Sequence, residues 1–149
     1  MAKIEKGNIH TRYTTWIARV LIGTVFCFNV QCAVSFICFP SGYVSAFELQ
    51  GIPGEIMVQA LGILFLMWNV PYLFAIINPL QYRSCLYASN IMQCIGLVGE
   101  TSLFVSLPEQ HLVLANTALR FIIFDGFGVL ALLAATWLTR KPAHDYRKP

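Results

Sequence analysis

The chain has 149 residues, of which 57% are hydrophobic and only 11% are charged, and its mean hydropathy is +0.65. Soluble domains carry about 25% charged residues. This composition argues against a soluble enzyme, a disordered tail or a disulfide-stapled secreted module, and it indicates that the protein lies in lipid. The length fits one domain rather than two.

Four apolar stretches predict an all-α fold, an integral membrane bundle of four transmembrane helices that occupies residues 1–149 as a single domain. The predicted spans cover residues 16–39, 56–77, 86–107 and 112–138, with short basic tails at 1–15 and 139–149. Each span is near or above the roughly 20 residues that cross about 30 Å of hydrocarbon. Only helices satisfy such a continuous apolar backbone internally.

The distribution of charge predicts the orientation of these spans. Basic residues lie in the N-terminal arm, at Arg83 and in the C-terminal tail, whereas the first and third loops contain Glu48 and Glu109 but no Lys or Arg. The positive-inside rule therefore predicts that both termini are cytoplasmic. We expect a bacterial inner membrane as the location. Because the basic residues form no domain-scale patch, no nucleic-acid partner is expected.

Cysteine and histidine patterns point away from redox and metal chemistry within this chain. None of the five cysteines forms a Cys-x-x-Cys pair, and small apolar packing residues are their expected role. Two histidines lie in the tails and His111 lies at the edge of span four, so no metal site is predicted. A pigment or haem ligated by His111 and shared with a neighbour is the one alternative. No catalytic motif is present, and no catalytic residue is assigned.

Polar residues inside the spans are the candidates for function, because a charge at the bilayer centre costs at least about 2.5–3.5 kcal/mol. Helical spacing predicts one polar face on each of spans two, three and four. Together these faces form a predicted polar intramembrane cluster of Glu55, Gln59, Gln93, Glu100, Asn116 and Arg120. Within it Glu100 is expected to pair with Arg120. The pair is either a bundle-locking device or part of a pocket for a quinone head group, an anion or a proton.

A second set of residues is predicted to face partner subunits. Asp125 lies about 140° around the helix from Arg120, which places it outside the cluster. Polar groups on two faces of spans one and four, and a stripe of small residues beside Asp125, predict contact with other membrane subunits or self-association. The set comprises Asn29, Gln31, Asp125, Gly128, Ala131 and Ala135. Water penetration or hydrogen bonding to the helix backbone is the alternative.

Two short motifs resemble the DoxX-like membrane proteins. Residues 19–26, Arg-Val-Leu-Ile-Gly-Thr-Val-Phe, resemble the opening of the first helix in that family, and Gly51-Ile52-Pro53 resembles the start of the second. The four-helix plan and the cytoplasmic termini also match. The lysine that ends the family's first helix is missing from Asn29-Val30-Gln31-Cys32, and its Glu-x-x-Gly-Gly pattern is only echoed by Gln59-Ala60-Leu61-Gly62. The resemblance implies a small membrane subunit associated with redox systems.

These observations predict a non-catalytic accessory or anchoring subunit of a larger membrane complex, with a respiratory or photosynthetic redox complex as the expected host. One alternative is a quinone-interacting oxidoreductase subunit whose pocket contains Glu55, Gln59, Glu100 and Arg120. Another is a small proton or anion transporter. Apart from the bilayer, a quinone or a lipid is the only ligand expected, and no cofactor bound by this chain alone is predicted.

Overall fold

The computed structural model describes residues 2–140, with side chains from residue 12 onward, and this part of the chain is mostly helical and contains no strand. Five α-helices follow one another: α1 (Ala2–Cys38), α2 (Gly51–Trp68), α3 (Val70–Ile77), α4 (Arg83–Ser106) and α5 (Leu112–Leu138). Two short 3-10 helices, Pro40–Gly42 and Val44–Phe47, form the loop after α1. The all-α prediction is confirmed. The predicted basic tail at 1–15 is part of helix α1, which begins at Ala2. Most of the predicted tail at 139–149 lies outside the described residues.

Three helical segments are long and apolar enough to cross a membrane. They are Arg12–Cys38, Gly51–Ile77 and Leu112–Leu138, each of 27 residues, or about 40 Å at 1.5 Å per residue. The predicted span 86–107 is also a helix, α4, but its mean hydropathy is lower than that of the other three.

The helices alternate in direction, and contacts at both ends of the bundle demonstrate this. At one end, the loop residue Glu48 contacts His111, which caps the start of α5. At the other end, the guanidinium of Arg83 at the start of α4 donates to the carbonyl of Thr139 after α5. Helix α1 packs against α2, α3 and α5, and α4 packs against α3 and α5.

The second span is broken between α2 and α3 by Asn69. Pro71 has no backbone N–H to continue the helical ladder. The backbone N–H of Asn69 turns to the carbonyl of Leu66, and its side-chain Nδ2 donates to the freed carbonyl of Phe65 at 2.6 Å. The break redirects the chain, so that α2 packs chiefly against α1 whereas α3 packs between α1 and α4.

Small residues allow the close contacts inside the bundle. A Cβ atom added at Gly62 of α2 would lie 2.8 Å from the carbonyl oxygen of Ala33 in α1, so only glycine permits this approach. A core near the α3–α4 end contains Ile22, Tyr72 and Leu132, all completely buried. A second core, near the loop after α1, surrounds Phe36 with the rings of its aromatic neighbours.

The outer surface of the bundle is lined with large apolar side chains. On α4, for example, Ile91, Ile95 and Val98 are 61%, 57% and 69% exposed, whereas Asn90 and Gln93 are 8% and 4% exposed. An apolar exterior over a partly polar interior is unfavourable in water and favourable in lipid. The arrangement of the side chains therefore agrees with the apolar helices in indicating a membrane protein.

The loop after α1 is fixed onto the start of α5 by Glu48. This residue has a positive φ of 53°, and its Oε1 accepts a hydrogen bond of 3.2 Å from the backbone N–H of Leu114 in the first turn of α5. Its Oε2 contacts Nδ1 of His111. A carboxylate at this position accepts a hydrogen bond from an otherwise unpaired N–H group, and the positive end of the helix dipole stabilises its negative charge.

We predict that Glu48 makes bundle stability depend on pH under acidic conditions. The hydrogen bond from His111, together with those from the α5 backbone, lowers the pKa of Glu48 below its ordinary value. A lowered pKa in the folded state gives stabilisation that is complete above the ordinary glutamate pKa of about 4.3 and is lost as the pH falls through the lowered value. Thermal unfolding in detergent should show wild-type protein losing stability between about pH 5 and pH 3.

The matched variants are Glu48→Gln and Glu109→Gln, which each remove one loop carboxylate. Glu48→Gln should flatten this part of the pH profile, since its neutral amide cannot be protonated in the same range. Glu109→Gln should leave the profile unchanged. Equal profiles for the wild type and Glu48→Gln would contradict the assignment.

Candidate intramembrane cavity

A cavity of about 390 Å³ lies in the middle of the bundle, and all five helices contribute to its wall. Its volume is within the range of small-molecule sites in proteins. Asp125 in this wall is 13 residues from each end of α5, so the cavity reaches the mid-depth of that helix. Exposed side chains at its rim, among them Gln31, Trp68 and Arg120, connect it to the outside.

Aromatic rings form much of the cavity wall. The helix α2 supplies Phe65 and Trp68, α3 supplies Tyr72, and α5 supplies Phe121 and Phe124. Phe65 and Phe121 also contact each other edge to face, with ring centroids 6.2 Å apart. Rings of this kind offer flat apolar surface and negative π faces to a bound molecule.

Two carboxyl groups lie in the wall of the cavity. They are Glu100 on α4 and Asp125 on α5, and Glu100 Oε2 is buried without a hydrogen-bond partner among the described residues.

A chain of hydrogen bonds fixes the position of the Asp125 carboxyl group. The hydroxyl of Tyr72 donates to Gln93 Oε1 at 2.6 Å, and Gln93 Nε2 donates to Asp125 Oδ1 at 2.7 Å. Tyr72 and Gln93 are 0% and 4% exposed. The chain links α3, α4 and α5, and each bond is strengthened by the low dielectric of the interior.

Two glycines make room for the hydrogen-bonded side chains. A Cβ atom at Gly96 of α4 would collide with Asp125 Oδ2, and one at Gly128 of α5 would lie 2.5 Å from Gln93 Nε2. The absent Cβ atoms thus allow both polar side chains to cross from one helix to the other.

Asn69 contributes an unpaired acceptor to the same site. The residue is 3% exposed and lines the cavity. Its Nδ2 is bound to the carbonyl of Phe65, whereas its Oδ1 is buried and has no hydrogen-bond donor among residues 2–140. A buried acceptor without a donor costs about 1–3 kcal/mol. This oxygen therefore favours an occupant that can donate a hydrogen bond.

The structure brings together only part of the predicted polar cluster. Gln93, Glu100 and Arg120 line the cavity, whereas the other three members are not in its wall. Gln59 donates instead to the carbonyl of Ile37 at 3.3 Å, tying α2 to the end of α1. Asn116 is exposed and Glu55 is half-buried near the start of α2.

The predicted Glu100–Arg120 ion pair is wrong. Among the described side chains the single ion pair within 4.0 Å joins His111 and Glu48. Glu100 Oε2 is buried without a hydrogen-bond partner among the described residues, and Arg120 is exposed at the cavity rim. The long arginine side chain can keep its charge near a polar surface while its stem remains among apolar groups.

The residues predicted to face partner subunits lie largely inside the bundle. Asn29, Gln31 and Asp125 line the cavity. Gly128 is packed against Gln93, Ala135 is completely buried in the core, and Ala131 packs against that core. The placement of Asp125 outside the cluster is wrong because α5 is contacted by α4 on one side and α1 on another. A residue 140° from Arg120 therefore still faces the interior.

Sequence reasoning missed Tyr72 and the aromatic wall. One signal for Tyr72 exists: it follows Asn69 by three residues just after the helix break, which places both on one face. Aromatic residues are common on lipid-facing surfaces as well, so their number alone does not identify a cavity. No group of three or more His, Cys, Asp or Glu residues in the described part is arranged to hold a metal ion.

No protein-family model, curated protein or solved structure matches this chain. The resemblance to DoxX-like proteins therefore stays a prediction.

We predict that Gly96→Ala destabilises the protein by displacing Asp125. The new Cβ atom would push the carboxyl group away from Gln93, at a cost of about 1–3 kcal/mol. Gly99→Ala is the matched control, because a Cβ atom at Gly99 of the same helix meets nothing within 4 Å. Thermal unfolding in detergent measures both variants.

A double-mutant cycle with Asp125→Ala identifies the cause. Removing the colliding carboxyl should make Gly96→Ala nearly neutral, so the two changes should be strongly non-additive. Additive effects would mean that Gly96 acts through some other contact.

Proposed function

We propose that this protein crosses the membrane four times and binds a small amphipathic molecule in the cavity between its helices. The observation that carries the proposal is the combination of a cavity of about 390 Å³, an aromatic wall and two carboxyl groups, Glu100 and Asp125, in that wall. Buried carboxyl groups in a membrane bundle are costly and mark functional or assembly sites.

The fourth span in this proposal is α4. Its 24 residues give a length of about 36 Å, enough to cross the hydrocarbon. Its low mean hydropathy comes from Ser89, Asn90 and Gln93, which are buried against the other helices. The outer face of α4 is apolar, as that of a lipid-facing helix should be. We further propose that both termini are cytoplasmic and that the membrane is a bacterial inner membrane, as the arrangement of basic residues favours.

Labelling of single cysteines from outside intact cells should test the topology. In a background without the native cysteines, Ser41→Cys and Gln110→Cys should react with an impermeant maleimide, whereas Gln81→Cys should react only after the membrane is opened. Equal accessibility of positions 81 and 110 would mean that α4 does not cross the membrane.

The cavity itself can be tested by filling it. Ser35 lines the cavity, so Ser35→Phe should occupy its volume, whereas Ala60→Phe adds the same ring to an exposed position of α2. Native mass spectrometry of the wild type, extracted from its own membrane in mild detergent, should show a bound small molecule. We expect Ser35→Phe to lose it and Ala60→Phe to retain it. A wild-type protein without a bound molecule, or binding that survives Ser35→Phe, would contradict the proposal.

A quinone or quinol head group is the second candidate occupant. The aromatic rings suit a planar ring, and the exposed guanidinium of Arg120 can donate to a carbonyl oxygen. The role of a non-catalytic accessory subunit in a redox complex remains a prediction. That prediction depends on small residues of α5 that face outward to a partner, whereas Gly128 and Ala135 are buried inside the bundle. A proton or anion transporter would use the same cavity.

A further inference from the structure

The unpaired side-chain oxygen of Asn69 is the feature of the cavity that most narrowly defines its occupant. Asn69 lines the cavity and is 3% exposed, and its Oδ1 has no hydrogen-bond donor among the described residues. The orientation of the amide is fixed, because Nδ2 donates to the carbonyl of Phe65 at 2.6 Å. A flipped amide would place two acceptor oxygens against each other. The Asn69 oxygen is therefore held as an acceptor that needs a donor.

The polar groups of the wall do not supply this donor. The hydroxyl of Tyr72, three residues along the chain, donates to Gln93 Oε1 at 2.6 Å. The wall also contains groups able to donate, such as the Ser35 hydroxyl and the Trp68 indole N–H, but none of them donates to Asn69 Oδ1. An occupant that fits this mixed wall donates to Asn69 and can also accept a hydrogen bond from another wall group.

A neutral hydroxyl group meets both requirements, since it carries one proton and two lone pairs. A carbonyl or an ether oxygen only accepts, so it would leave the Asn69 oxygen unpaired. An ammonium group only donates, and its charge must be removed from water when it enters an apolar cavity. A carboxylate has the same cost of burial and would lie in a wall that already contains Glu100 and Asp125.

The surroundings of Asn69 indicate the body that carries this hydroxyl. Phe65, Trp68 and Tyr72 lie within four residues of Asn69 along the chain and line the same cavity. Aromatic rings that meet offset or edge to face attract each other beyond the burial of their apolar area. A hydroxyl attached directly to an aromatic ring places its donor and its flat apolar surface side by side, as this part of the wall does.

We propose that the cavity binds a neutral aromatic hydroxyl compound of the phenol class, whose hydroxyl group donates a hydrogen bond to Asn69 Oδ1 while its ring packs against Phe65 and Trp68. The proposal depends on the cavity being a ligand site, as proposed above. Phenols keep their proton at neutral pH, so binding transfers no proton. An oxidised quinone has acceptor oxygens only, and it is expected to bind more weakly than a phenol.

The test uses the full chain in detergent and four neutral probes. These are 4-ethylphenol, its isomer 4-methylanisole, 4-ethylcyclohexanol and 2,3-dimethoxy-5-methyl-1,4-benzoquinone. Equilibrium dialysis against protein-free micelles corrects for partition into the detergent. The phenol should bind about tenfold or more tightly than its anisole isomer, which lacks the donor. It should bind about threefold or more tightly than the cyclohexanol, which has the hydroxyl but no aromatic ring.

A comparison of donor strengths tests the direction of the hydrogen bond in the wild-type protein. Chlorine makes the hydroxyl of 4-chlorophenol a stronger donor than that of 4-methylphenol, and the two molecules are similar in size. The pair 4-chloroanisole and 4-methylanisole measures what the substituent contributes without a donor. After this correction 4-chlorophenol should bind about twofold or more tightly than 4-methylphenol. This measurement needs no variant and holds even if a variant fails to fold.

Two variants of the second span locate the hydrogen bond. Asn69→Leu removes the amide while keeping a side chain of similar size, and it should reduce the preference for 4-ethylphenol over 4-methylanisole nearly to one. Gln59→Leu is the matched control, because the Gln59 amide also donates to a backbone carbonyl, that of Ile37 at 3.3 Å, but lies outside the cavity wall. It should keep the full preference.

Each contrary outcome has a defined meaning. Equal binding of the phenol and the anisole, a preference that survives Asn69→Leu, or no gain with donor strength would overturn the inference while leaving the cavity as a ligand site. Tighter binding of the cyclohexanol or the quinone would do the same. Failure of all four probes to bind would also overturn it. The native mass spectrum of Ser35→Phe judges the cavity separately, since that measurement requires no knowledge of the ligand.

Discussion

The carboxyl group of Asp125 is the interaction around which the interior of the bundle is organised. It lies at the midpoint of α5, where a carboxyl group is costly if the helix spans a bilayer. Gln93 of α4 donates a hydrogen bond to its Oδ1. Gln93 in turn receives the Tyr72 hydroxyl of α3. One buried acid thus fixes the relative position of three helices, which are held together in lipid without a hydrophobic driving force between them.

The break at Asn69 has the opposite effect, since it separates helices instead of joining them. An unbroken second span would continue straight along α1. The turn between α2 and α3 instead brings Tyr72 close enough to α4 to bind Gln93, while Phe65 and Trp68 of α2 remain on the far side of the cavity. The carbonyl of Phe65 is satisfied by the Asn69 side chain, so the break leaves no orphaned backbone group there. Asn69 thus satisfies a backbone carbonyl with its side-chain nitrogen and presents its unpaired side-chain oxygen at the cavity.

The sequence predicts the membrane helices well, because length and apolar composition directly reflect the thickness of the hydrocarbon. Three segments satisfy both criteria, and α4 is predicted as a helix although its inward polar residues reduce its mean hydropathy. Helical periodicity also correctly places Gln93 and Glu100 on one face of α4. Periodicity identifies which residues share a face, but it does not identify the neighbour of that face. This is why Arg120 is a plausible partner for Glu100 in the sequence although no ion pair joins them in the structure.

The contents of the wall limit what can occupy the cavity. A hydrocarbon chain would satisfy the aromatic rings but would leave the Asn69 oxygen without a donor, at the cost of a buried unpaired acceptor. Water would satisfy that oxygen but would wet the rings of Phe65, Phe121 and Phe124. A molecule with both an apolar body and a donor group satisfies the two kinds of surface together. The pairing of aromatic rings with acceptor oxygens is therefore the feature of this fold that most strongly favours an amphipathic ligand over lipid or water.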